Sequence, residues 1–130
     1  MEEATVYTRI GGESGLHAIV DRFYELMDTL PAAKEIRDMH PADLSNARER
    51  LFWFLSGWMG GPQLYWEKIG HPRLRARHLP FAIDSDAAKQ WMLCMIQTLN
   101  EQIPDEELRN QLLQSFVRVA AHMRNKLDAD

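Results

Sequence analysis

The chain has 130 residues, of which 45% are hydrophobic and 26% charged, with a formal net charge of −4. That is enough chain for one domain over 1–130 with a buried core, and the composition fits neither a disordered nor a collagen-like sequence. An acidic balance with no Lys/Arg run along any predicted helix excludes nucleic acid as the expected partner. The lack of a ~20-residue apolar stretch does the same for a membrane.

The N-terminus, "MEEATVYTRI", is acidic and unlike a signal peptide, so the expected location is the cytoplasm. Hydrophobic spacing is then helical nearly throughout. Leu16, Ile19, Val20, Phe23, Tyr24 and Met27 recur at the i, i+3, i+4, i+7 interval of one buried helix face. "LPAAKEIRDMHP" makes a short helical link closed by Pro41. It is bounded by prolines and has no strong apolar stripe, so residues 31–42 are expected to open locally at small cost. A second long stripe runs through Leu44, Ala47, Leu51, Phe54, Leu55 and Trp58, with Asp43 or Ser45 as its cap.

"GGP" at 60–62 ends that helix and opens the longest expected irregular segment, residues 60–73. A helical turn is expected over "LRARH", ended by Pro80, because the residue before a proline is pushed out of the helical region. "IDSDAAKQW" reads as a helix start capped by Asp84 or Ser85, continued by Trp91, Met95, Thr98 and Leu99 on one face. Pro104 and Asp105 open a last helix whose stripe is Leu108, Leu112, Phe116, Val119, Ala120 and Met123. Its first turn is acidic, as the helix dipole favours. No segment alternates with period two. The expected fold is all-α.

Chemistry is sparse in this sequence. Cys94, the single cysteine, sits inside an apolar helix and reads as a small buried hydrophobe, with no pKa-lowering neighbour and no partner for a disulfide or a thiolate zinc site. Of the five histidines, His17 and His122 lie on solvated helix faces, and His71 in "GHP" reads as a turn residue bonding nearby backbone. His78 differs. It ends a short helical turn stiffened by Pro80, among Leu74, Leu79, Phe81 and Ile83, with Arg75 and Arg77 beside it. A neutral imidazole in that setting suits an axial ligand of a haem bearing carboxylates. On spacing alone, a core histidine bonded to backbone fits better still. Zinc held by His71 and His78 lacks a third ligand of convincing spacing.

The runs "IGGESGLHAIVDRFYELM", "GGPQLYWEKIGHPRLRARHLPFAI" and "WMLCM" together resemble the truncated haemoglobins of the second group, over nearly the whole chain from about Tyr7. The resemblance implies a two-over-two helical sandwich holding one b-type haem. His78 then matches the proximal iron ligand, Tyr24 the distal tyrosine, and Trp91 the tryptophan whose indole N–H points at bound ligand. Ala47 and Leu51 match the two distal-helix positions facing the haem, and Tyr65 and Arg77 match positions that meet its propionates. Phe54, Leu74 and Ile83 complete the expected haem contacts. One departure stands out: the position before Pro41, often tyrosine or phenylalanine in the family, is His40, which can hydrogen-bond ligand or take the sixth iron site itself. The expected function is binding of oxygen and other diatomics, with redox detoxification of nitric oxide or peroxide fed by a separate reductase. The rival readings are a non-enzymatic gas-binding or sensing module and a cofactor-free helical interaction protein.

Overall fold

The computed structural model describes residues 5–71, 73, 78 and 83–125. Its elements in chain order are α1 (Val6–Arg9), α2 (Gly12–Thr29), a 3-10 turn (Pro31–Ala33), α3 (Lys34–Asp38), α4 (Ser45–Trp58), α5 (Leu64–Lys68), α6 (Ser85–Gln102) and α7 (Glu106–Met123). Among the described residues there is no strand. Helix α2 packs on both α4 and α6, and α6 packs on α7. The result is two helix pairs, α2/α4 and α6/α7, joined through α2 and α6.

The expected stripe of α2 is buried in full, Leu16, Ile19, Val20, Phe23, Tyr24 and Met27, with Leu26 added. Phe23, Met27, Leu55, Met95, Leu99 and Phe116 are among the most deeply buried side chains and join the two pairs in one core. Local signals set the helix ends. Leu30 is extended, as a residue before proline should be, and stops α2. Gly60 takes φ +90° after α4, its N–H donating to the Gly57 carbonyl (3.1 Å) while that of Gly61 reaches the Ser56 carbonyl (2.8 Å). This is a Schellman ending, which needs a left-handed residue and so favours glycine. Asp84 caps α6 by accepting from the Ala87 N–H, and Asp105 caps α7 by accepting from that of Leu108. That bond, reinforced by the Arg9 guanidinium, holds the Asp105 carboxyl below its ordinary pKa.

Two expectations need correction. Residues 60–73 are not irregular throughout, because α5 forms inside them and buries Tyr65. Tyr65 gains more from burial against α4 than a loop conformation would give it, so tertiary contact overrides the flanking Gly and Pro signals. Helix α4 also carries two apolar faces where one was expected. Phe52, Leu55, Ser56 and Met59 are buried, while Ala47, Leu51 and Phe54 are half-buried and Trp58 is 36% exposed. At 3.6 residues per turn the two sets lie about a third of a turn apart. The turn expected over "LRARH" falls on residues outside those described, except His78, which is helical.

The corner between α1 and α2, at Gly15, is the tightest backbone approach at any described glycine. A Cβ at Gly15 would overlap the main-chain carbonyl of Ile10, which no side-chain rotation can relieve. Gly15→Ala should therefore cost about 1–3 kcal/mol, the range for overpacking a rigid site, read as a lower midpoint in urea or heat. A wild-type midpoint in that variant would mean that the α1–α2 corner yields freely.

Candidate functional site

Tyr24 stands on the buried face of α2 at 5% exposure. Its hydroxyl donates to the Ala47 carbonyl at 3.3 Å, well beyond the ~2.7–2.8 Å usual for O–H···O. Burial pushes the phenol above its ordinary pKa, only slightly offset by the Arg48 cation, so the group remains an O–H donor. The Phe23 ring meets Tyr24 edge-on at 5.1 Å and Trp91 at 5.2 Å, and Trp91 also packs on Phe116 at 5.6 Å. Trp91, on α6, is half-buried, and its indole N–H has no hydrogen-bond partner among the described residues. Both donors thus belong to one aromatic cluster, one weakly bonded and the other unbonded there.

His40 joins that cluster. Its ring lies edge-on to Tyr24 with centroids 6.1 Å apart, half-buried. Its Nδ1 is 2.7 Å from the Ile36 carbonyl. A carbonyl can only accept, so Nδ1 carries the proton and Nε2 of the neutral ring carries the lone pair. This is the pairing that fixes the tautomer of many metal-ligating histidines.

The link holding His40 is not loose, contrary to the sequence expectation. Ala33 and Ile36 are buried in the core. Arg37, its side chain 19% exposed, donates to Asp28 on α2 (2.8 Å) and to the carbonyls of Pro41 (3.0 Å) and Ala42 (3.0 Å). Gln90 on α6 accepts from the Ile36 N–H at 3.2 Å and donates to Glu35 at 3.0 Å. Polar anchors to α2 and α6 replace the missing apolar stripe.

The half-buried face of α4 brings Ala47, Leu51 and Phe54 onto one line, ending at Trp58, whose ring meets Phe116 at 4.8 Å. A cleft of about 190 Å³ between α4 and α5 is lined by both Phe54 and Tyr65. Ile83 is buried just before α6. Leu74 and Arg77, expected to contact haem, lie outside the described residues. His78 is half-buried, and its carbonyl accepts from Asn125 Nδ2 at 3.1 Å.

The remaining candidates fall away from the cluster. His71 accepts the Arg73 N–H at 3.0 Å, the turn role expected of it. His17 is exposed and stacks on Phe52 at 4.1 Å, and His122 is exposed. Cys94 is buried with its thiol pushed up to about 11, so it stays protonated and unreactive. Among the described residues no three His, Cys, Asp or Glu side chains converge as a metal site. No helix is long and apolar enough to cross a membrane among the described residues. Sequence reasoning missed Arg37, Gln90 and Asn125, whose partners are distant in sequence or on the main chain.

A b-type haem asks for an imidazole, an extended apolar wall for the macrocycle, and donors for whatever binds opposite the imidazole. His78, the Ala47–Leu51–Phe54 face, and the Tyr24 and Trp91 donors are residue types that fit those demands. Comparison with known proteins agrees. The bacterial-like globin family matches residues 5–125. A group 2 truncated haemoglobin of Bacillus subtilis is 39% identical over 92% of this chain and 88% of its own. The cold-adapted truncated haemoglobin of the Antarctic marine bacterium Pseudoalteromonas haloplanktis TAC125 superposes with a TM-score of 0.93 at 50% identity, covering 95% of this chain and 99% of that one. For the group II 2-on-2 haemoglobin of the plant pathogen Agrobacterium tumefaciens the TM-score is 0.94 at 42% identity, over 97% and 98%. The chain belongs to the bacterial-like globins, as a group II truncated haemoglobin with the two-over-two fold, a haem b cofactor and the family's binding of oxygen and related gases.

Proposed function

We propose that this haemoglobin works in redox detoxification of nitric oxide or peroxide, with His78 as the proximal ligand and Tyr24, Trp91 and His40 acting on the opposite side. When bound, haem supplies an iron that takes up a small ligand and exchanges electrons with it. The observation that carries the reading is the convergence of three polar groups on one aromatic cluster. Among the described residues Tyr24 has a long hydrogen bond, Trp91 has none, and His40 has Nδ1 alone committed. The overall conversions are O₂ + NO + e⁻ → NO₃⁻ and H₂O₂ + 2H⁺ + 2e⁻ → 2H₂O. Both need electrons from a separate reductase and placed hydrogen-bonding groups in the pocket.

The residues suit that work in different ways. Tyr24 can exchange its long bond to the Ala47 carbonyl for a shorter one to a ligand carrying negative charge, since bonds to charged groups are worth ~1.5–3 kcal/mol against ~1 for neutral ones. Its raised pKa keeps the proton in place for that exchange. Trp91 only donates, and gives up no described hydrogen bond in turning to a ligand. His40, with Nδ1–H held by Ile36, offers Nε2 as an acceptor or as a sixth iron ligand. Because the link is pinned, that coordination depends on reach within a fixed pocket and not on local opening. Ala47, Leu51, Phe54 and Ile83 would wall the macrocycle, and Tyr65 would meet its polar edge.

His78→Gly should lose stable haem, restored in part by added imidazole. An unchanged Soret spectrum without imidazole would end the proximal assignment. Tyr24→Phe and Trp91→Phe should each raise the oxygen dissociation rate about 10- to 100-fold, or ~1.4–3 kcal/mol, and combine non-additively because they share an acceptor. Stopped-flow rates unmoved in all three variants would remove this pair from the mechanism, and nitrate yield under reductant should fall with them. His40→Leu should abolish a low-spin, six-coordinate fraction in the ferric spectrum. A wild-type ferric form that is wholly high-spin would confine His40 to hydrogen bonding.

A further inference from the structure

Asn125 lies two residues beyond the end of α7, where nothing in the sequence marks it for function. It makes three hydrogen bonds, all to the segment that carries His78. Its Nδ2 donates to the His78 carbonyl (3.1 Å), its Oδ1 accepts from the Ile83 N–H (2.9 Å), and its own N–H donates to the Ile83 carbonyl (2.9 Å). The orientation of the amide is unambiguous, since a carbonyl can face only the NH₂ and an N–H only the oxygen. One half-buried side chain therefore grips the chain at both ends of residues 78–83 and ties them to the last turn of α7.

We infer that Asn125 is a positioning residue for the proximal imidazole. The inference rests on the reading of His78 as iron ligand. A hydrogen bond to the main chain of a residue fixes the orientation of that peptide, and so constrains the side chain it carries. Asn125 Nδ2 makes such a bond to the His78 carbonyl, on the residue whose ring is the proposed ligand. Its paired bonds with Ile83 hold the far end of that stretch, because Ile83 is buried and leads directly into the Asp84 cap. A metal ligand is held by the groups behind it as well as by the metal, and loss of such support weakens the bond without removing the ligand.

The two arms can be separated. Asn125→Asp keeps an acceptor for the Ile83 N–H but sets a carboxylate against the His78 carbonyl, while Asn125→Leu removes both arms. In the ferrous holoprotein the iron–histidine stretching band in resonance Raman should shift or broaden in both variants. Haem transfer to excess apomyoglobin should accelerate on the order of 5- to 10-fold, as expected for one or two lost hydrogen bonds. Helicity by circular dichroism should remain that of the wild type. Should Asn125→Leu fail to fold, Asn125→Asp decides. An unchanged band and transfer rate in folded Asn125→Asp would overturn the inference and leave Asn125 a tether for the end of α7. A wild-type band that survives in His78→Gly would instead overturn the assignment of His78, a separate outcome.

Discussion

A hydroxyl taken out of water into an apolar core must find an acceptor, and among the described residues Tyr24 finds only the distant carbonyl of Ala47. That under-used bond is the constraint around which the molecule is arranged. Helix α2 cannot turn to improve it, because Phe23 and Met27 on the same face are locked among the most deeply buried side chains. Helix α4 cannot move closer without disturbing Leu55 and Phe52, packed on its other apolar face. The core therefore holds a donor with capacity to spare, next to a second donor on Trp91. A pocket built in this way is preorganised, since the cost of leaving its polar groups poorly bonded falls on folding and not on ligand binding.

What holds this arrangement comes largely from residues with no chemistry of their own. Arg37 spends its guanidinium on Asp28 and two main-chain carbonyls just beyond His40, and Gln90 clasps the same link from α6. Surface ion pairs usually contribute little, but Arg37 is mostly buried and is bonded chiefly to fixed backbone, which makes it an anchor. Asn125, on the inference above, plays a comparable part at His78. Tyr24 and Trp91 stand on the long helices themselves, while His40 and His78 lie outside them and are tied to them by these side chains.

Much of this fold can be read from the sequence. The α2 stripe, the Asp84 and Asp105 caps and the stop at Gly60 are local patterns whose physics needs no tertiary partner. Helix α5 was hidden because its stability comes from burying Tyr65, not from its flanking residues. The single stripe assigned to α4 mixed two faces, since both are apolar and a period of 3.6 does not say which one packs on protein. His40 beside Tyr24 followed from the family resemblance alone, as did the pairing of Tyr24 with Trp91. The anchors were illegible for a plain reason: Gln90 reaches back 54 residues to Ile36, and Asn125 reaches 47 to His78. An amide or guanidinium that bonds main chain leaves no pattern, because any residue supplies the acceptor.

On the proposed reading, the weakly bonded Tyr24 hydroxyl and the Trp91 indole N–H set the field felt by a small ligand opposite His78. The carbon monoxide stretching frequency of the ferrous complex, measured by infrared spectroscopy, reports that field directly. A donor-rich pocket lowers it, and the account predicts a dominant low-frequency band that moves upward when Tyr24 is replaced by Phe. A wild-type band at the high frequency of an apolar pocket, unmoved by that replacement, would contradict it.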